Sequence, residues 1–290
     1  MDLPIIDTHQ HLWDPARFSY SWMNGLPAIR GRRLIEEYRD ATGGMNVVGS
    51  VYVDTDVDEA DLAEEIKMIF ALADDPANRV VGVVAGAHPE HDSFLDHLRP
   101  FLAHPKLKGV RRVLHTQPDG MSRSAQFVEQ VRSLAEHDLS FDICMLARQL
   151  PLAVQLVRAC PRVAFILDHC GNPDIRGRAF EAWQKDLSTL AREPNVVCKI
   201  SGLVTCAEVD ELSAATLRPY VEHVLEAFGW ERVLWGGDWP VCTLATTLRH
   251  WRAISQELFA TASREQQERL FFRNAVRVYR LAGALPATSP

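Results

Sequence analysis

Two histidines lie one residue apart near the start of the chain, in the motif "PIIDTHQHLW" that begins at Pro4. His9 and His11 follow an apolar pair, so they fall at the end of a candidate β-strand. Because strand side chains alternate between faces, both imidazoles point the same way, and Asp7 shares their parity. Two imidazoles that converge on one point can bind a divalent metal ion or a substrate oxygen. The pattern alone is unspecific, since such a pair can also lie on the surface.

Polar groups also follow two later apolar runs. His169 lies in "FILDHCGNP" and Asp238 lies in "VLWGGDWP". Asp238 stands in a tight apolar turn between two glycines and a Trp-Pro pair, where an unpaired carboxylate would be costly. We therefore expect His9 and His11 to be its partners. These groups meet only if the first and last strands are neighbours, so the interpretation requires a closed sheet.

Eight short, β-rich apolar runs recur along the chain, and segments with helical periodicity separate them. The runs begin at Pro4, Val47, Arg79, Leu107, Leu139, Arg162, Asn195 and Arg232. Helical segments begin near Asp58, Ser124, Leu150 and Glu181, and a further one ends at Gly229. Strands that are apolar nearly throughout are typical of a parallel sheet covered on both faces. We predict an α/β fold, a single (β/α)8 TIM-type barrel over residues 1–290 with extra helices at the C-terminal end. An open doubly wound sheet is the alternative, but no glycine-rich nucleotide turn follows the first strand.

The composition excludes several classes of protein. The 290 residues are 47% hydrophobic and 24% charged, which is ordinary for a folded domain with a large core. The net charge of −7 provides no basic surface for nucleic acid, so we expect no nucleic-acid partner. We find neither a signal-peptide pattern nor an apolar run near the roughly 18 residues of a membrane span, and we expect a cytoplasmic protein without a membrane partner. The six cysteines contain no C-x-x-C pair, and we expect reduced, mostly buried thiols.

The motifs as an ordered set resemble the amidohydrolase superfamily. "IDTHQH", "LDHCG" and "GGDWP" carry the general resemblance. Together with "GVR", "FD" and "KISG", they are similar to its branch of sugar lactonases and pyrone-dicarboxylate lactone hydrolases, of which the L-fuconolactonase and L-rhamnonolactonase types are nearest. The resemblance covers nearly the whole chain. It implies a (β/α)8 barrel that hydrolyses ester-like bonds in a cyclic substrate.

The chain departs from the zinc-rich members of that superfamily at two strand ends. Those members add a lysine after strand four and a histidine after strand five. Here strand four ends in "VLHTQ" and strand five in "CMLARQ". A two-metal centre is therefore not expected, and a decarboxylase, which needs the strand-five histidine, is disfavoured. The resemblance implies that no cofactor is required, although His9, His11 and Asp238, with His169 or water, form an optional site for one divalent ion such as zinc.

The resemblance and the residue chemistry together assign roles. Asp238 is the expected general base, which takes a proton from the water that attacks the lactone carbonyl. His169 is expected to orient the carbonyl oxygen or to carry a proton to the leaving hydroxyl. His9 and His11 are expected to polarise the carbonyl, directly or through a metal ion.

A second set of residues is expected to line the substrate pocket. Adjacent arginines in a strand point to opposite faces, and the family pattern favours Arg111 over Arg112 as the inward one, with Val113 and His115. Asp142 and Lys199 are charged residues in apolar strands, and we expect Asp142 to pair with Arg111 or Lys199, slightly ahead of a direct substrate contact. Trp22, Asn24, His88, His115 and Gln117 are candidate pocket residues from their loop or strand-end positions.

The predicted function is hydrolysis of a sugar-acid lactone to the open aldonic acid. The alternatives are a mononuclear metal-dependent amidohydrolase or decarboxylase of a small cyclic acid, and, from another class, a non-catalytic sugar-binding protein. A binder needs aromatic side chains and hydrogen-bond donors rather than a carboxylate–imidazole cluster. The particular lactone and its ring size depend on the shape of the pocket, and a monomer and a homodimer both remain open.

Overall fold

Residues 3–282 are described by the structure, a computed structural model in which eight parallel strands form one sheet in chain order. The strands are β1 Ile5–Gln10, β2 Val47–Val53, β3 Val80–Gly86, β4 Leu107–Val113, β5 Ser140–Cys144, β6 Phe165–Leu167, β7 Val196–Ile200 and β8 Val233–Trp235. Each apolar run predicted from the sequence contains one strand. Because the last strand also closes onto the first, as described below, the (β/α)8 barrel is confirmed and the open sheet is excluded. The ends of the predicted domain, residues 1–2 and 283–290, lie outside the described residues.

The barrel closes between β8 and β1 through the segment that follows β8. The Asp238 backbone N–H donates to the His9 carbonyl at 2.7 Å, and the His11 N–H donates to the Trp239 carbonyl at 2.8 Å. The Thr8 hydroxyl adds a bond of 2.8 Å to the Trp235 carbonyl. The seam therefore lies at the level of the two histidines, and closing it brings Asp238 beside them.

Helices surround the sheet and cover its outer face. They are α1 Ile35–Ala41, α2 Leu62–Asp74, α3 Ala125–Ser133, α4 Leu150–Ala159, α5 Phe180–Ala191, α6 Leu203–Cys206, α7 Ala214–Phe228, α8 Leu248–Leu258, α9 Arg264–Glu268 and α10 Asn274–Val278. The helices predicted from the sequence are confirmed as α2, α3, α4, α5 and α7. Ser124 caps α3 by accepting a hydrogen bond from the Phe127 N–H, and α7 ends before Gly229, whose φ of 66° suits glycine.

The interior of the barrel is packed with side chains towards the N-terminal ends of the strands and contains a cavity at their C-terminal ends. Its floor consists of branched and aliphatic side chains from several strands, namely Ile6, Val51, Val53, Val84, Ile166 and Leu234. Tyr279 and Leu281, which follow α10, pack against this floor, and the Arg280 guanidinium pairs with Asp138, just before β5. The extra C-terminal helices thus cover the mouth at the strands' N-terminal ends. The opposite mouth is left for a cavity, as in other barrels of this type.

Candidate active site

A cavity of about 230 Å³ opens at the C-terminal ends of the strands. Its lining consists of His11, Trp22, Thr55, Asp56, Arg111, Val113, His115, Thr116, Cys144, His169, Asn172, Thr205, Asp238 and Val241. Most of these residues follow strand ends, so the barrel gathers groups that are far apart in the sequence. The mixture of imidazoles, carboxylates and one guanidinium inside a small concave site is typical of an enzyme active site.

A break in the pairing of β1 determines which of its side chains face the cavity. Asp7 pairs with Ser50 and Gln10 pairs with Tyr52, so β1 carries one more residue than β2 between these positions. Such a bulge reverses the alternation of side chains. As a result Asp7 does not share the orientation of His9, and the prediction made from its parity is wrong. Its carboxylate instead accepts hydrogen bonds from the Tyr38 hydroxyl of α1 at 2.8 Å and from the Gly237 N–H at 2.7 Å.

Asp238 lies against both histidines of the H-x-H motif. Its Oδ1 atom is 3.4 Å from His11 Nε2 and 3.8 Å from His9 Nε2. The residue has a positive φ of 55°, an unusual conformation outside glycine that is found at functional sites. Gly236 permits the close approach, because a Cβ atom there would lie 2.7 Å from the His9 Cβ. Within residues 3–282, Asp238 Oδ1 is buried and has no hydrogen-bond donor.

The same cluster fits a single divalent metal ion. His11 Nδ1 lies 2.8 Å from the Val53 carbonyl, which can only accept, so Nδ1 carries the proton and Nε2 presents a lone pair to Asp238. Nitrogen and oxygen lone pairs that face each other around a buried, unsatisfied carboxylate oxygen form a suitable donor set for zinc. His9, His11 and Asp238 would hold the ion, since one donor atom from each lies within 4.8 Å of the others.

His169 enters the cavity from the turn after β6. Its backbone has a φ of 53°, and its ring is tilted by 55° relative to the His9 ring, with the ring centroids 4.4 Å apart. His169 Nδ1 lies 2.9 Å from the Ser201 hydroxyl. Gly202 is required here, since a Cβ atom would lie 2.4 Å from His169 Nδ1. Burial lowers the pKa of His169, which favours a neutral ring whose Nε2 can face the cavity.

Beneath the cavity, buried charges surround His9, which itself has no exposed surface. Asp168 Oδ1 lies 3.4 Å from His9 Nδ1, and the Lys199 ammonium lies 3.1 Å from that oxygen and 3.3 Å from the same nitrogen. Asp142 accepts a hydrogen bond of 2.5 Å from Lys199. Burial opposes ionisation of Asp168, but Lys199, His9 and Arg111 together hold its pKa well below the usual value.

Arg111 is the inward arginine of β4. Its guanidinium contacts Asp168 at 3.4 Å and His9 Nε2 at 3.4 Å, and it donates to the Asp54 carbonyl and lies 3.5 Å from the Asp54 carboxylate. Arg112 points away and pairs with Glu90 at 2.6 Å. Of the two partners predicted for Asp142, the structure shows Lys199 and not Arg111.

The remaining candidate residues are divided by their position at the rim. Trp22 lines the cavity and donates to the Thr55 carbonyl at 2.8 Å. His115 also lines it, and burial, with Arg111 nearby, lowers the pKa of His115 to about 4. Asn24 lies outside this lining, because the turn Ser21–Met23 leaves it exposed at a separate surface cavity. Gln117 is also outside it, and its side-chain amide donates to the hydroxyl of Thr116, which does line the cavity, at 3.2 Å.

Other predicted contacts lie beneath or beside the cavity. Lys199 and Asp142 are fully buried, so the two charges can position His9 but have no surface that a substrate could touch. His88 belongs to the loop after β3 and lies outside the cavity lining.

Sequence reasoning missed several residues of the site. Asp54 and Asp168 each follow an apolar strand, which is the signal that had identified Asp238. Ser201 and Cys144 carried no such signal, since a hydroxyl or a thiol at a strand end is common. Their roles become visible only from contacts, Ser201 with His169 and Cys144 with His115 Nδ1 at 3.3 Å.

This chain is similar to known proteins along most of its length. A family model described as Amidohydrolase matches residues 6–281. The L-fucono-1,5-lactonase of Burkholderia ambifaria is 29% identical over 245 residues, which cover 83% of this chain and 81% of that protein. The L-rhamnono-gamma-lactonase of Scheffersomyces stipitis is 20% identical over 333 residues, which cover 96% and 98%.

Solved structures show the same architecture. The crystal structure of an amidohydrolase from Burkholderia multivorans with bound zinc has a TM-score of 0.86 and 28% sequence identity, and the match covers 96% of this chain and 99% of that one. Over the described part of this chain, every helix is too short or too polar to cross a membrane.

Proposed function

Because the chain belongs to the amidohydrolase family, we propose that it hydrolyses the lactone of a sugar acid to the open aldonic acid. The observation that carries the proposal is the Asp238 carboxylate, which is buried and beside His11 Nε2 in a cavity the size of a small ring. Two relatives that span most of the chain carry lactonase names, for a fucono-lactone and a rhamnono-lactone, and these names support the substrate class.

The first step is attack of water on the ring carbonyl. A water molecule at the mouth of the cluster can donate one hydrogen bond to Asp238 Oδ1 and the other to His11 Nε2, since both atoms are acceptors 3.4 Å apart. Asp238 takes the proton as the water oxygen forms its bond to the carbonyl carbon. His11 then orients the water rather than the carbonyl, because its only ring proton is committed to Val53.

The second step is stabilisation of the negative charge on the carbonyl oxygen. With the Ser201 hydroxyl donating to His169 Nδ1, the His169 Nε2–H is free to donate to this oxygen. The Arg111 guanidinium, which also lines the cavity, adds positive charge. His9, His11 and Asp238 would hold a divalent ion, which would supply further positive charge near the carbonyl.

The third step opens the ring. The tetrahedral intermediate collapses, the bond between the carbonyl carbon and the ring oxygen breaks, and the proton held by Asp238 passes to the leaving oxygen. Asp168 Oδ1 lies 3.4 Å from His9 Nδ1, and this buried contact helps to fix the orientation of that ring, so the buried charges support the site from below. The products are a carboxylate and a hydroxyl on one chain, and the net reaction consumes one water and releases one proton to solvent.

A lactone panel tests the proposal. Acid-sugar γ- and δ-lactones would be supplied to the purified protein, and acid release would be followed with a pH indicator against the spontaneous rate. We expect hydrolysis of at least one sugar lactone well above that rate. The absence of turnover on every lactone, together with consumption of a cyclic amide or of a carboxylated ring, would replace the proposal with the metal-dependent amidohydrolase or decarboxylase alternative.

A further inference from the structure

A second cluster of imidazoles and a carboxylate lies outside the cavity, on the loops that follow β2 and β3. His88 and His91 belong to the tetrapeptide "HPEH", whose His91 N–H donates to the His88 carbonyl at 2.9 Å. This bond closes a β-turn, and the proline at the second position fixes its backbone in advance. Glu90, inside the turn, is held by the Arg112 guanidinium at 2.6 Å. The turn therefore presents two imidazoles from a stiff base.

The carboxylate comes from the neighbouring loop. Glu59 begins the short helical turn Glu59–Asp61, and its Oε1 atom lies 3.0 Å from His91 Nδ1. The rings of His88 and His91 meet edge to face, with their centroids 5.5 Å apart. One donor atom from each of the three residues lies within 4.8 Å of the other two. An ion pair between Glu59 and His91 requires only one imidazole, whereas the cluster provides two.

We propose that Glu59, His88 and His91 bind a divalent transition-metal ion, with zinc the best match. Zinc binds imidazole nitrogen and carboxylate oxygen at about 2.0–2.2 Å in a tetrahedral arrangement, so two of its ligand atoms lie about 3.3–3.6 Å apart. The donor atoms need to approach each other by up to about 1.5 Å, which the exposed Glu59 side chain can achieve by rotation. Three protein ligands leave the fourth position to solvent. This site is separate from the His9, His11 and Asp238 cluster and does not depend on the proposed function.

The ion would join the loop after β3 to the loop after β2, which contributes Thr55 and Asp56 to the wall of the active-site cavity. Arg112 lies between Glu90 and Asp56, 3.6 Å from the Asp56 carboxylate, and Asp56 lines the cavity. A metal ion bound to the turn would therefore restrict the motion of His88 and His91 and, through Arg112, the motion of that wall. Metal binding here stabilises the folded protein, because the unfolded chain does not hold the three ligands together.

Zinc stoichiometry tests the proposal directly. Metal-free wild-type protein and the double variant His88→Ala/His91→Ala would be dialysed against the same free zinc, and bound zinc would be counted by elemental analysis. We expect the double variant to hold one equivalent less than the wild type. Zinc at His9, His11 and Asp238 counts equally in both proteins and cancels in the difference. Equal zinc content in the two proteins would overturn the proposal.

Two further variants control the measurement. Glu59→Gln changes one exposed side chain and leaves the turn intact, and we expect it to weaken zinc binding in a competition titration. His104→Ala removes another histidine paired with a carboxylate, Asp74 at 3.0 Å, but one without a second imidazole. Its zinc content should equal that of the wild type. Unchanged affinity in Glu59→Gln, or a loss in His104→Ala as large as in the double variant, would also contradict the site.

Discussion

Replacing Lys199 with Met removes a fully buried ammonium group and keeps a side chain of similar length. Lys199 has no exposed surface, and its ammonium lies 2.5 Å from Asp142, 3.1 Å from Asp168 and 3.3 Å from His9 Nδ1. Breaking a buried ion pair by removing one partner costs about 3–5 kcal/mol, because the other charge stays buried without compensation. Asp168 retains Arg111, whereas Asp142 loses its closest cation. We therefore expect Lys199→Met to lower the free energy of unfolding by about 3–5 kcal/mol.

The partner variant separates loss of charge pairing from loss of packing. In Lys199→Met/Asp142→Asn the orphaned carboxylate is gone, and we expect the double variant to recover at least about half of the loss. The assay is urea unfolding followed by circular dichroism, with the exposed Lys185→Met as a matched control that stays within about 0.5 kcal/mol of the wild type. A cost below about 1 kcal/mol for Lys199→Met, or no recovery in the double variant, would refute the assignment of these charges as a coupled pair.

Three more predictions follow from the contacts of the site and its surroundings. Arg111→Met should raise the KM for the lactone and lower the free energy of unfolding by about 3 kcal/mol, because Asp54 and Asp168 lose a buried partner. Steady-state kinetics and urea unfolding measure the two effects, and no change in either would contradict the assigned contacts of the guanidinium. Burial raises the pKa of Glu65 to about 8, with Asp54 and the hydroxyls of Tyr20 and Tyr52 around it. The folded state therefore binds more protons than the unfolded state above about pH 4.5, and this part of the stability, up to roughly 4–5 kcal/mol, is lost as pH rises towards 8. Glu65→Gln should flatten the slope, and an unchanged profile of unfolding free energy against pH would contradict it. Exhaustive chelation should leave most lactonase turnover, because a lactone is an activated ester; activity that disappears with the metal and returns with zinc would contradict this.

The sequence was sufficient to predict the barrel and the centre of the site for one physical reason. Parallel strands place their C-terminal ends at one mouth, so polar residues that end apolar runs must converge there. His11, His169 and Asp238 were found in this way, and the structure places all three in the lining of one cavity. The argument that Asp238 needs partners also predicted the seam between the first and last strands.

Details that depend on register could not be read in the same way. Asp7 was assigned the orientation of His9, because a bulge in β1 has no signature in the residue types. Asp142 lies opposite Arg111 in the pairing of β4 with β5, yet its ion pair is with Lys199 of β7, two strands further along the sheet. Which of two cations a buried acid selects depends on side-chain reach inside the barrel, which alternation alone does not determine. Asn24 and Gln117 were chosen by loop position, where the local turn decides which side chain faces the cavity.

The central claim, that Asp238 is the base in lactone hydrolysis, is tested most directly by the kcat of Asp238→Asn on the best lactone of the panel. Asn keeps the size of the side chain but cannot accept the proton from water. We expect kcat to fall by a factor on the order of 10²–10⁴, with the fold intact by circular dichroism, while Asp174→Asn at an exposed position outside the cavity retains full activity. A loss below about tenfold in the folded Asp238→Asn variant would contradict the assignment.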